Sequence, residues 1–331
     1  GGSKLIRCLM AALEKKGVAI HYNTKAVSLV KDECFNVEGV SCITPEGRKD
    51  YLARGGVILT TGGYGANEAM VDKYIGPWAS RLIVRGSPWI TGENILMAEE
   101  VQALLVNMDQ FYAGPITPTG HCNPSPLMHA GYGIQVNTKG KRFVPETWLQ
   151  VPKAKAIAER TEDNRSFMLI GADADKNAQI LTNTIKRFAR LGFEVIKADT
   201  IEEAAKKAGV PEKNLVETVR EFNAAVKAGK AKELDPPYDY DEPHALETGP
   251  FYMIPAAGGM ASTFGGPKIN KDAQVVNFER RPIPGLYAAG AAAGGVWVYD
   301  DIGGNQLGGG MVFGRVAARH AAGRAASRKN A

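Results

Sequence analysis

Three glycine clusters carry the clearest chemical signal in this chain: Gly62-Gly63-Tyr64-Gly65, Gly290 with Gly294-Gly295, and Gly303-Gly304-Asn305. The first two follow short apolar runs, Gly56–Thr61 and Leu286–Ala289, of the kind that form buried strands. In α/β folds ligands bind outside the carboxyl ends of strands, and residues without a Cβ let the main chain approach them closely. The third cluster opens a helix, whose first N–H groups lack internal partners and sit at the positive end of the dipole. That terminus suits the negative pyrimidine edge of a reduced flavin, and it suits a phosphate equally. Each cluster alone also reads as a plain turn. Their combination, in this order, points to a ligand.

Other chemistries find little support. The nearest approach to G-x-G-x-x-G, Gly63-Tyr64-Gly65-Ala66-Asn67-Glu68, fails at its last position, which disfavours a nicotinamide-dependent dehydrogenase built on these turns. No Walker loop and no G-x-S-x-G elbow occurs. Cys8, Cys34, Cys42 and Cys122 have no paired spacing, and the five histidines form no HExxH pattern, so neither a disulfide framework nor a metal site is expected. The cysteine usage makes a reducing cytosol the default compartment. The net charge of +5, from 40 basic and 35 acidic residues, is too balanced for a nucleic-acid surface. No apolar run approaches the roughly 18 residues of a membrane span.

The 331 residues are enough for about two domains of ~150 residues. A helix is expected over 3–16, with Leu5, Ile6, Leu9 and Leu13 on one face and a stop at Gly17. A strand over Val18–Val30 and a hairpin around Pro45-Glu46-Gly47 should follow, then the buried strand before Gly62. From Trp78 the character changes: prolines cluster between Pro115 and Pro152, a polar hairpin sits at Asn137–Gly140, and helices are expected at 153–160, 178–191 and 211–227. A proline-rich connector, Asp235–Pro243, closes this insertion. Strand signals return after Gly249 and lead to the last glycine cluster and an apolar helix over about 306–319.

Here a resemblance enters. Gly56-Val57-Ile58-Leu59-Thr60-Thr61-Gly62-Gly63-Tyr64-Gly65-Ala66-Asn67 resembles the VILATGG(F/Y)xxN segment of the fumarate reductase/succinate dehydrogenase flavoprotein superfamily. Ile283–Gly290, with Gly294-Gly295, Gly303-Gly304-Asn305 and Met311–Arg315, is similar to its C-terminal flavin signature. Gly140-Lys141-Arg142-Phe143-Val144 with Glu146 resembles the start of its capping domain. The resemblance implies an α/β, Rossmann-like FAD-binding domain, residues 1–77 and 246–331, interrupted by an α+β capping domain, residues 78–245. It also implies that the G-x-G-x-x-G strand of the family lies upstream of Gly1, so that the chain is a fragment or half of a split enzyme.

By the same resemblance, FAD is held at Ala26 (backbone to adenine), at Thr61 and Gly62 on the diphosphate–adenosine side, at Gly290, and at Asn305, Gln306 and Leu307 beside the pyrimidine. Where many members place a ribose-binding Glu, this chain has Ala291. The substrate positions depart further. The family's first substrate His falls on Gly114, its proton-path Glu and Arg on Pro126 and His129, its acid Arg near Gln150, its later His pair on Ala261-Ser262, and its last clamping Arg on Asp301. His129 is left as the candidate cation, though an ordinary polar histidine reads the same way. Fumarate is therefore not the expected substrate. Tyr112, Trp148, Met260, Phe264, Trp297 and Tyr299 suit a larger, less charged molecule, while also reading as core. Tyr299 is placed to exchange the proton that accompanies hydride transfer; Asp300-Asp301 reads equally as a solvated pair or a helix-start charge device.

The expected activity is FAD-dependent hydride transfer at a CH–CH or C=C unit of an enone, steroid-like or aromatic-acid substrate. A small-molecule substrate and an electron donor or acceptor, or a partner chain, are the implied partners. The rival expectation is a chain that needs a further ADP-binding segment before it can act.

Overall fold

The computed structural model describes residues 2–119, 133–172, 179–299 and 304–329. Helix α1 (Gly2–Lys15) carries the expected stripe, but Leu5, Ile6, Leu9 and Leu13 all lie exposed. Gly17 ends it with φ +66°, a conformation that favours glycine. The strand expected over Val18–Val30 is confined to β1 (Lys25–Lys31). Asn23 takes φ +50°, and the Thr24 hydroxyl donates to the Tyr22 carbonyl at 2.9 Å, so a local turn breaks the extension. Strands β2 (Val37–Thr44) and β3 (Gly47–Leu52) form the expected hairpin and complete an antiparallel sheet in the order β1-β2-β3.

The buried strand β4 (Val57–Leu59) follows, then α2 (Glu68–Tyr74), β5 (Ile83–Val84), α3 (Glu93–Glu99), β6 (Leu105–Val106) and β7 (Phe111–Ile116). Beyond these lie β8 (Gly133–Asn137), α4 (Gln150–Arg160), β9 (Ser166–Gly171), α5 (Gln179–Arg190), β10 (Ile196–Ala198), α6 (Ile201–Ala208) and α7 (Glu212–Lys227). Helix α6 escaped the periodicity reading, although Thr200-x-x-Glu203 marks its start: the Thr200 hydroxyl accepts from the Glu203 amide at 3.1 Å. The chain closes with β11 (Phe251–Thr263), β12 (Gly266–Pro267), β13 (Gln274–Val276), β14 (Pro282–Ala288) and α8 (Asn305–Ser327). No helix among the described residues is long and apolar enough to cross a membrane.

The result is a mixed α/β fold with several open sheets. The 13-residue β11 is central to the largest. Its first half pairs antiparallel with β9 and β10; its second half pairs antiparallel with β7 and parallel with β5. Helices α6 and α7 cover the first half through Ala204, Ala205, Leu215 and Phe222. A separate cluster packs Met97, Ala98 and Val101 at α3 onto Leu29, Leu59, Ile283 and Leu286. A third joins Tyr64 and Met70 to Leu82, Phe111 and Met260.

One buried polar hub ties β8 to α4 and α7. Arg142 Nε and Nη2 donate to Glu146 at 2.9 and 2.6 Å, and the Gln135 amide donates to the same carboxylate at 3.0 Å. The guanidinium lies over the rings of Phe222 and Tyr238. The Glu146 carbonyl accepts from Lys153 Nζ at 2.6 Å and from the Tyr240 hydroxyl at 2.9 Å.

Glu146→Gln should cost about 3–5 kcal/mol, because it strands the Arg142 charge in the interior; denaturant unfolding measures the loss. Lys153 gives a second test. Burial lowers its ammonium to about 8, against the opposing pull of Glu146, while an unfolded lysine titrates near 10.5. The unfolded chain then binds the extra proton between those values, so this group adds stability as pH rises through that window. Relative to a Lys153→Met variant, the wild type should gain unfolding free energy between pH 7 and 10.

Candidate functional site

Strands β4 and β14 run side by side in parallel, with Val57 opposite Leu286 and Leu59 opposite Ala288. The Ala289 amide continues the pairing onto the Leu59 carbonyl at 3.1 Å. Both strands therefore deliver their glycine bends to one sheet end. Gly62 takes φ +84° and Gly290 φ +67°, backbone shapes that resist a Cβ. The first bend rests on the end of β11. The Tyr64 amide donates to Thr263 Oγ1 at 3.1 Å, and a Cβ at Gly63 would stand 2.1 Å from that oxygen. A Cβ at Gly62 would stand 2.9 Å from Ile90 Cγ2.

Helix α8 brings in the third bend. Gly304 caps it with φ +92°, and the first helical bond runs from the Gly308 amide to the Gly304 carbonyl at 3.0 Å. The amides of Asn305, Gln306 and Leu307 thus precede the helical ladder, where a helix offers free donors. Further along, a Cβ at Gly290 would stand 3.8 Å from Gly310 Cα, so the helix passes directly against the second bend. Gly309 lies under the Trp297 ring, 2.8 Å from Cζ2 by the same measure.

Beside the first bend opens a cavity of about 800 Å³ that contains both Ala26 and Thr61, with Trp89, Thr91 and Glu93 across from them. Burial would raise the Glu93 carboxyl, but hydrogen bonds from Thr91 and its own amide, with the Lys25 charge, bring it below the usual range. Bare glycine backbone, unclaimed helix-start amides and this adjoining cavity fit an extended dinucleotide cofactor. Among the described residues, no group of three His, Cys, Asp or Glu is placed to hold a metal ion.

The substrate-side expectations fall into two neighbouring places. Tyr299 is exposed, with φ +65°, and its amide donates to Gln110 Oε1 at 3.2 Å. It lines a cavity of about 460 Å³ together with Trp78, Asp109, Leu149 and Lys155. Gln150, at the start of α4, instead faces Gly114 on β7, and its Oε1 is buried without a partner. Ser262 is buried, and its hydroxyl donates to the Thr263 carbonyl at 3.3 Å. Met260 belongs to the core cluster around Tyr64, Phe264 is buried, and Trp148 stacks with Arg160. His129 and Asp301 lie outside the described residues.

Three residues at this site escaped the sequence reading. Thr263 pins the first bend, and nothing in its neighbourhood signals that. Asn94 is fully buried and donates to the Ala292 carbonyl at 3.0 Å, joining α3 to the second bend. Arg85 is the third, a cation that the sequence reading did not place here. Its Nη1 and Gln150 Oε1 each lie 2.9 Å from where a Cβ at Gly114 would stand. A lone charge ending the apolar run Leu82-Ile83-Val84 was the signal available.

Residues 1–307 match the family described as FAD binding domain. The chain belongs to that family. The FAD-binding chain is 29% identical over 322 residues to the probable fumarate reductase Ifc3 of Shewanella frigidimarina, covering 97% of itself and 53% of that protein. It is 32% identical over 318 residues to the urocanate reductase of Eggerthella lenta, covering 93% and 51%. The open conformation of a flavocytochrome c3 fumarate reductase superposes with a TM-score of 0.79 at 29% identity, over 97% of this chain and 55% of that one. The FAD-binding chain thus spans about half the length of these relatives.

Gly62→Ala places a side chain in left-handed backbone and against Ile90. It should cost about 1–2 kcal/mol in stability and lower the FAD retained on purification, which absorbance per mole of protein measures.

Proposed function

We propose that this chain takes part in FAD-dependent hydride transfer at a CH–CH or C=C bond of an activated substrate that is not a dicarboxylate. Enones, steroid-like rings and aromatic acids are the candidate classes. The observation that carries this reading is the pair of positive-φ glycine bends, Gly62 and Gly290, at the shared end of β4 and β14, with α8 packed against the second at Gly310. Residues 1–77 and 246–331 form the Rossmann-like cofactor domain in this proposal, and 78–245 the cap.

Ala26 and Thr61 hold the adenosine side, in the cavity they share. Gly62 and Gly290 let the main chain lie along the cofactor, through the positive-φ bends that a side chain disfavours. The amides of Asn305, Gln306 and Leu307 stabilise negative charge at the pyrimidine edge through their unclaimed donors and the helix dipole. The bound flavin supplies the hydride-exchanging centre. Tyr299 moves the accompanying proton through its hydroxyl, from an exposed loop position that leads into the same helix. Gly114, Gln150 and Ser262 replace charged groups by neutral ones, which is why a second substrate carboxylate finds no clamp. A separate electron donor or acceptor completes the cycle.

Purified protein given FAD should take up flavin and show its visible absorption; a colourless protein that binds none would end this reading. With a reducible substrate, Tyr299→Phe should lower turnover by about 10²- to 10⁴-fold if its hydroxyl relays the proton. Unchanged turnover would remove it from the chemistry. Fumarate should turn over far more slowly than a conjugated monocarboxylate or enone.

A further inference from the structure

Arg85 is a half-buried cation with no counter-charge on it among the described residues. It follows β5, where its amide donates to the Met260 carbonyl at 2.7 Å, so the backbone beside it is locked onto β11. The side chain crosses over Gly259, where a Cβ would stand 2.8 Å from Arg85 Cδ, and reaches the face of Gly114 on β7. There Nη1 is shielded from solvent and has no hydrogen-bond partner. Burial accordingly lowers the guanidinium from its usual value, with Tyr112 pulling the other way. Facing the same spot, Gln150 Oε1 is also buried and unpartnered.

Two unsatisfied polar groups at one glycine are costly, because neither recovers the hydrogen bonds it gave up in water. Gly114 is what makes room for them: any side chain there would collide with both atoms. The arrangement has the form of a recognition element awaiting its ligand. A guanidinium matches a carboxylate in geometry as well as charge. The Gln150 amide turned by half a rotation offers a second donor to the same group.

The geometry points to Arg85, seconded by Gln150, as the binding residue for a single carboxylate on the substrate. Resting on the hydride-transfer reading above, this selects the acid class among its three candidates: an α,β-unsaturated monocarboxylate. Its carboxylate meets the Arg85 guanidinium beside Gly114. One guanidinium neutralises one carboxylate; Gly114, Gln150, Ser262 and Tyr112 add no second cation.

The test is calorimetric binding to the flavin-loaded protein, with two matched pairs as probes: acrylate against methyl acrylate, and cinnamate against methyl cinnamate. In at least one pair the acid should bind about 10- to 100-fold more tightly than its ester, the range expected for a charge-assisted hydrogen bond. Arg85→Met should erase that preference, weakening the acid far more than the ester, and Arg85→Lys should keep part of it. Gly114→Ala, which displaces the guanidinium while retaining it, should weaken the acid more than the ester; it serves as the second test should Arg85→Met fail to fold. Wild type without acid preference in either pair, or an acid preference that survives Arg85→Met or Gly114→Ala, would overturn the assignment. A colourless protein that still prefers the acid would sink the flavin reading and leave Arg85 standing. A yellow protein blind to the acid would do the reverse.

Discussion

The parallel register between β4 and β14 is the constraint from which the site follows. Three residues of β4 suffice, because Leu59 is buried and all three are locked to a partner strand more than 220 positions later in the chain. Slipping that register by one residue would turn every side chain to the opposite face and move one bend relative to the other. Leu59, Leu286 and Ala288 prevent it by belonging to one apolar cluster with α3. Helix α8 then needs only small residues at Gly309 and Gly310 to lie close against Trp297 and the second bend.

Two arginines give up water in opposite ways: the Arg142 side chain is almost fully buried, while Arg85 is half-buried with its Nη1 shielded. Arg142 has a carboxylate partner in fork geometry, two aromatic faces and a network that extends through Gln135 and Ser166 to the Ala256 carbonyl. Its burial is balanced locally, and it fixes how β8, β9 and β11 meet. Arg85 has a strand on one side and an unpaired glutamine oxygen on the other. In the first case desolvation is offset within the fold. In the second it is left open, and a cation in that condition favours any anion that reaches it. The same side chain thus serves architecture in one place and recognition in another, according to who its neighbours are.

Much of this was legible in the sequence because it depends on backbone chemistry. Glycines after apolar runs announce bends wherever they fall, and the order of the clusters did not depend on knowing the fold. The helix starting at Asn305 and the hairpin at Pro45-Glu46 were readable for the same local reason. Asn23 and Thr24 cut short the first strand through a turn that alternation alone conceals. Arg85 was hidden for a different reason. Its meaning depends on Gly114 and Gln150, which lie 29 and 65 positions away and meet it only through the pairing of β5 and β7 with β11. Thr263 was hidden likewise: a threonine at a strand end is unremarked until a distant amide is found on its hydroxyl.

Strand β11 has one more consequence. Its first half is hydrogen-bonded to β9 and β10, while its second half carries β7 and β5 and ends under the Tyr64 amide. A continuous ribbon fastened along both halves cannot serve as a loose tether. The helices over its first half and the glycine bend at its far end hang on one strand, and the irregular pairing between Met260 and Ser262 is the one joint on the way to Thr263.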